Sequence, residues 1–395
     1  MYSEDDLNSA VAAGALSAGA AASFRAHITQ VREMPRGDEE SFRLINSFND
    51  IFVAIGIIIM LLAAGAIGQA IASAFAAVPP FPGMNGNEPS EAEWLAFAEA
   101  SEWRTSLSTL FAGILVAGTS WPLAEFFTRR RRMALPSILL LLAFVGSIFA
   151  AVFGAGMLLG AIDNEKSGAL LVSGAGLVAA LAAWVHWRRF MVPITVAAGA
   201  GAAAITLVAL MLALIQSLFG VEEEAVGDIL LVLTFMTGLA VFAFAMRWDI
   251  SDRERISRRS DVAFWLHLLA APMIAHPVFY SLGIFGDGDQ VSVGSALAVV
   301  AIYVLFGLVA LVIDRRALLV SALAYVLAAL TFLFNRFGAV ELNFALTALV
   351  IGSALLTLSA FWTPLRSRLV AALPPAWRAK VPVSGPITPA AALTA

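Results

Sequence analysis

The chain contains no cysteine, which excludes disulfides, thiolate nucleophiles and every metal site built on sulfur. It is poor in charge: 13% of its 395 residues are Asp, Glu, Lys or Arg, against roughly 25% in an average soluble domain. A water-soluble fold of this length needs far more polar surface, so that class is excluded. No P-loop, Rossmann fingerprint, zincin helix or serine-nucleophile elbow occurs. A cleavable signal peptide is not expected either. Residues 1–50 are polar and mixed in charge, and the first apolar run is much longer than a signal h-region.

What the chain has in excess is apolar length. Hydrophobic residues make up 60% of it, and the mean hydropathy is +0.87. They gather in ten stretches, roughly 51–77, 107–127, 133–160, 168–187, 190–218, 227–247, 262–285, 292–313, 317–335 and 342–362. A run of about 20 apolar residues crosses a hydrocarbon core of about 30 Å. The expected fold is therefore all-α: a polytopic bundle of about ten transmembrane helices.

The loops between these stretches alternate between arginine-rich and acidic. On this layout 21 of the 24 basic residues fall on one side, the cytoplasmic side by the positive-inside rule. Only Arg104, Lys166 and Arg336 fall outside it. Both termini are then cytoplasmic. Acids divide evenly, 14 to each side, so the inner segments carry +7 and the outer loops −11. The clusters Arg129, Arg130, Arg131 and Arg132, the pairs Arg188 and Arg189, Arg258 and Arg259, and Arg315 and Arg316 hug the membrane. They are expected to contact anionic lipid headgroups. They are too short for nucleic acid.

Three regions follow. Residues 1–50 form a cytoplasmic helical hairpin and an interfacial lead-in. Ser3 followed by Glu4, Asp5 and Asp6 starts a helix to about Ala12, Gly14 ends it, and Ser17 caps a second helix to about Arg32. The turn Met34-Pro35-Arg36-Gly37-Asp38 closes it, and Glu39 to Asp50 reads as an amphipathic interfacial helix. Residues 51–362 are the transmembrane domain, with a long outer loop at 78–106 that holds a short acidic helix anchored by Trp94 and Trp103. Residues 363–395 read as a proline-rich, disordered cytoplasmic tail.

Within the membrane domain, paired arginines at 131–132, 188–189, 258–259 and 315–316 are spaced by 57, 70 and 57 residues. Sliding the chain by 127 aligns Leu181 to Arg189 with Leu308 to Arg316. This suggests a parallel repeat of a four-helix unit, 107–218 and 234–345, related by an axis along the membrane normal.

Ionisable groups inside a bilayer are costly, so each is a site candidate. The seventh span is richest, with His267, His276 and Tyr280 beside Pro272 and Pro277. Nine residues place the two histidines about 13.5 Å apart along an ideal helix and on opposite faces, so no single metal ion takes both and no metal or cofactor is expected. His276 and Tyr280 share a face at i, i+4 and can pair. Glu125 reads as a local partner of the Arg129–Arg132 cluster, Asp314 of Arg315, and Glu341 and Asn343 of Arg336 as caps and local pairs. His186 reads as part of the basic end beside Arg188. The Gly/Ala runs at 154–156, 174–176 and 199–204 read as packing surfaces.

The opening of the chain resembles a group of bacterial multi-pass membrane proteins of unknown function, alphaproteobacterial members among them, that carry an N-terminal helical hairpin. Ala13-Gly14-Ala15-Leu16-Ser17 stands at that group's G-x-I-[ST] turn. Asp38-Glu39-Glu40-Ser41-Phe42-Arg43-Leu44 and Phe48-Asn49-Asp50-Ile51-Phe52-Val53 resemble its entry into the first span. The likeness covers about residues 1–60 and the remainder only in hydropathy. It implies the bacterial inner (plasma) membrane and brings no activity with it.

Two classes of function fit. A transporter-like protein would bind or move a small solute through a hydrated mid-depth cavity lined by span seven and its repeat mate, span three. A scaffold or sensor would be a dry bundle that meets a protein partner through residues 1–50. An enzyme is the less favoured third class, and would need a second polar group from another span beside His267 or His276.

Overall fold

The computed structural model describes residues 4–33, 48–84, 88–162, 164–255, 257–283, 292–336 and 343–383. The chain forms helices throughout these residues: α1 (Glu4–Ala12), α2 (Ala18–Glu33), α3 (Phe48–Phe75), α4 (Glu91–Ala124), α5 (Ala134–Leu158), α6 (Glu165–Phe190), α7 (Ile194–Phe219), α8 (Glu223–Ser251), α9 (Arg258–Tyr280), α10 (Val293–Ile313), α11 (Ala317–Arg336), α12 (Asn343–Ala360), α13 (Trp362–Ala372) and α14 (Pro375–Arg378). Among the described residues, α3 to α11 are nine helices long and apolar enough to cross a membrane, and the bent pair α12–α13 makes up to ten. This is a multi-pass membrane protein.

Its burial pattern says the same. The interior is largely small: Ala117, Ala175, Ala179, Ala183, Ala245, Ala263, Ala270 and Ala271 are all buried. Large residues such as Ile59, Leu62, Leu207 and Leu214 are exposed on the outside. Lipid tails are as apolar as leucine, so packing by small residues replaces hydrophobic sorting between helices. One such close seam is α4 against α5. A Cβ on Gly113 would lie 2.7 Å from the Ser147 carbonyl oxygen, and one on Gly154 would lie 2.7 Å from the Leu110 nitrogen. Only glycine permits that approach from both sides.

The hairpin follows its punctuation. Ser17 Oγ accepts from the Ala20 amide at 3.1 Å, Gly14 takes the left-handed φ of +70°, and Arg25 donates to Asn8 Oδ1 at 2.8 Å. The chain from 34 to 47, with the expected turn and most of the interfacial lead-in, lies outside the described residues, as do Ser3 and Glu341 and the side chain of Asn343.

Two expectations need correction. The long outer loop is mostly helix. Ser90 and Glu93 form a capping box that starts α4 at Glu91, well before the expected span near 107, and the acidic helix and second span are one continuous rod. Phe81 closes over its start, edge-on to Trp94 at 5.4 Å. At the other end, residues 363–383 are folded rather than a disordered tail. The helix breaks after Ala360 and turns by 70° into α13. The cause is polar: Trp362 and Arg366 are buried because Trp362 Nε1 donates to Asp314 Oδ1 at 2.7 Å, which pulls the chain across the end of the bundle.

Candidate functional site

His267 does not face a pathway. Its Nε2 donates to Asp249 Oδ2 at 2.8 Å, while Arg315 donates to Asp249 Oδ1 at 2.6 Å and to the Ser260 carbonyl at 3.0 Å. All three side chains are at most 4% exposed. Asp249 ends α8, His267 lies in α9 and Arg315 follows α10, so one carboxylate ties three elements. Both of its oxygens are engaged, which leaves none to accept a substrate proton. The geometric criterion for an intramembrane enzyme is thus met at His267, but by a closed ionic lock.

A second lock lies beside the first. Asp314, in the left-handed conformation at φ 57°, accepts from Arg255 at 2.7 Å and from Trp362, with Arg366 3.6 Å away. Arg366 donates to the Pro382 carbonyl at 2.7 Å and Arg253 to the Val381 carbonyl at 2.9 Å, which fastens the folded C-terminal segment. Asp314 therefore pairs across 59 residues with Arg255, not with its neighbour Arg315. Arg315 itself is withdrawn from the headgroup region, because the buried Asp249 carboxylate is there to be neutralised. Arg316 keeps to the surface, over the Trp362 ring at 4.7 Å.

The other candidates of α9 part company. His276 Nδ1 lies 2.5 Å from the Tyr325 hydroxyl on α11, and Tyr280, half exposed, stands only in ring contact with it at 5.6 Å. The expected His276–Tyr280 pair is replaced by a tie between helices. Pro277 is buried. Pro272 is on the opposite side of the helix, in the wall of a groove. His186 is also turned inward, 3.3 Å from Thr195 Oγ1 and against Phe190, Phe144 and Trp121, away from Arg188. Arg188 instead covers Trp184.

Three concave regions run along α5 and share walls. The middle one, about 530 Å³, is lined by Leu142, Val145, Gly146 and Phe149 of α5, Ala179 of α6, Ile194 to Ile205 of α7, and Trp265, Leu268, Leu269 and Pro272 of α9. These are the third and seventh spans, as expected for a solute site, but every lining side chain is apolar except for the indole of Trp265. A hydrated cavity is replaced by an apolar groove of ligand-binding size. Across the exposed stripe Leu142–Gly146 it adjoins a more polar groove of about 790 Å³ with Gln69, Arg104, Thr105 and Ser108, which reaches the acidic end.

At the arginine-rich end, Ile194 and Trp265 also line a pocket of about 560 Å³. Arg129, Arg132, Arg189 and Arg258 surround it with Asp261, Thr128 and Ser137. Its shape depends on a π-helical turn, Glu125–Arg130, at the end of α4. Such turns shift the side-chain register and recur at functional sites. Glu125 accepts from Arg189 at 2.6 Å and from Arg129 at 3.3 Å, so its expected local pairing extends to α6. Sequence reading missed Thr128, Trp265, Gly201 and Asp249. Only Asp249, an acid between Trp248 and Ile250 at a span end, carried a signal.

Comparison of the chain with protein-family models, with curated proteins and with solved structures returned no match.

Proposed function

We propose that this is a transporter-like protein of the bacterial inner membrane, both termini cytoplasmic, that takes a solute with an apolar chain from the bilayer into the groove between α5, α7 and α9. The observation that carries this reading is the mid-depth groove itself. It is walled by the third and seventh spans, it is apolar, and it shares walls with a polar groove toward one end and a basic pocket at the other. The shared walls give an amphiphile a continuous surface to move along, and they argue against a small hydrophilic ion. The positive-inside distribution supports the orientation.

The cysteine-free background permits a direct test by single-cysteine labelling along α9. A membrane-soluble thiol reagent is expected to modify positions 268, 269 and 272, which line the groove, and to leave buried positions 266, 270 and 271 silent. An added long-chain amphiphile should protect the first set. Labelling without that periodicity, or without protection, would sink the groove reading and return the search to the hairpin α1–α2 as a scaffold contact.

A further inference from the structure

Resting on the groove reading above, we propose that the basic pocket holds the phosphate of an anionic phospholipid whose acyl chain lies in the α5–α7–α9 groove. Charge is the first support. Four arginines surround the pocket against Asp261, and Glu125 engages two of them. Arg132 and Arg258 make no ion pair within 4.0 Å among the described residues and remain available to an anion. Arginine presents a planar fork of donors suited to phosphate oxygens.

Thr128 is the second support. It is 8% exposed and lines the pocket, yet its Oγ1 has no hydrogen-bond partner among the described residues. A buried hydroxyl left unmade costs free energy, and a phosphate oxygen in the pocket would accept its proton.

Continuity and length are the third. Ile194 and Trp265 line both spaces, so the two adjoin at apolar side chains that set no polar barrier between a charged end in one and an apolar tail in the other. From Ser137 in the pocket to Phe149 in the groove, an ideal helix rises about 18 Å. One leaflet of the hydrocarbon core is about 15 Å deep. The two spaces together match one lipid of one leaflet. Free phosphate would use only the pocket and gain nothing from the groove.

The test is binding of a fluorescent phosphatidylglycerol to the full-length protein in neutral detergent. Competitors are unlabelled phosphatidylglycerol, phosphatidylcholine with the same chains, and inorganic phosphate. Phosphatidylglycerol should compete about tenfold better than phosphatidylcholine, and inorganic phosphate should not compete. Arg132→Gln with Arg258→Gln should bring phosphatidylglycerol down to the phosphatidylcholine level, with the melting temperature unchanged because both side chains are exposed. Thr128→Val should weaken binding severalfold. Equal competition by the two lipids, or an unaffected double variant, overturns the headgroup assignment. If Gly201→Phe then removes both lipids, the groove reading stands alone. Displacement by inorganic phosphate assigns the pocket to the free anion and overturns the lipid. No lipid binding at all overturns both.

Discussion

The two halves of the membrane domain place the same motif in opposite circumstances. Each half has two loops that end in paired arginines, 131–132 and 188–189 in the first, 258–259 and 315–316 in the second. Around α4 to α7 the arginines stay exposed and, joined by Arg258 from the start of α9, rim a pocket. Around α8 to α13 three arginines, Arg255, Arg315 and Arg366, are buried against Asp249 and Asp314. The difference lies in the carboxylates. Asp249 and Asp314 are buried where α8, α9 and α10 meet, whereas Glu125, the acid among the first-half arginines, is part-exposed. Arginine count at a loop reports sidedness; the burial of a nearby acid decides whether the arginine becomes structure or remains free for a ligand.

The largest effect expected is on the lock. Arg315→Ala leaves Asp249 buried with His267 alone, and breaking a buried pair from one side costs about 3–5 kcal/mol. Unfolding of the detergent-solubilised protein should show that loss, while Arg132→Ala in the first half leaves stability unchanged. Equal behaviour of the two variants would erase the contrast between the halves.

A smaller effect separates the two kinds of helix packing. Gly154→Leu forces a side chain into the α4 backbone, where overpacking costs about 1–3 kcal/mol. Gly352→Leu in α12 points into open space, with no heavy atom within 4 Å of its Cβ, and should be neutral in the same melt. An effect of the same order sharpens the second lock. Trp362→Phe removes one donor from buried Asp314 and should cost about 1–3 kcal/mol, with faster proteolysis after Ala372 as the C-terminal segment loosens. Unchanged proteolysis would mean that Arg253 and Arg366 hold the segment without it.

Much of this fold was legible from periodicity and punctuation. The apolar runs located the spans to within a few residues at most ends, and Gly14 and Ser17 located the hairpin turn. The rest depends on contacts that are distant in sequence. Span ten continues to read as apolar through Phe361 and Trp362, so nothing local announces the bend that Asp314 imposes. Arg315 and Arg316 are adjacent letters in the turn between α10 and α11, and only the position of Asp249 decides which is buried. The π-helical turn at Glu125–Arg130 has no residue signature, and it sets the side-chain register of Thr128 at the pocket. The seventh span was singled out for its histidines and prolines, and α9 runs unbroken through Pro272 and Pro277. Its histidines turned out to join helices, and of its groove side, Trp265, Leu268, Leu269 and Pro272, only Pro272 had been named as a candidate.

Lipid retention reads the state of the basic pocket most directly. Protein extracted from a bilayer in mild detergent and weighed intact by native mass spectrometry should carry one anionic phospholipid. The lipid should be lost from Arg132→Gln/Arg258→Gln and kept by Trp362→Phe. Equal retention by all three, or none by the unmodified chain, would contradict the claim that the pocket of Arg129, Arg132, Arg189 and Arg258 is an open lipid site and the Asp249–Asp314 region a closed lock.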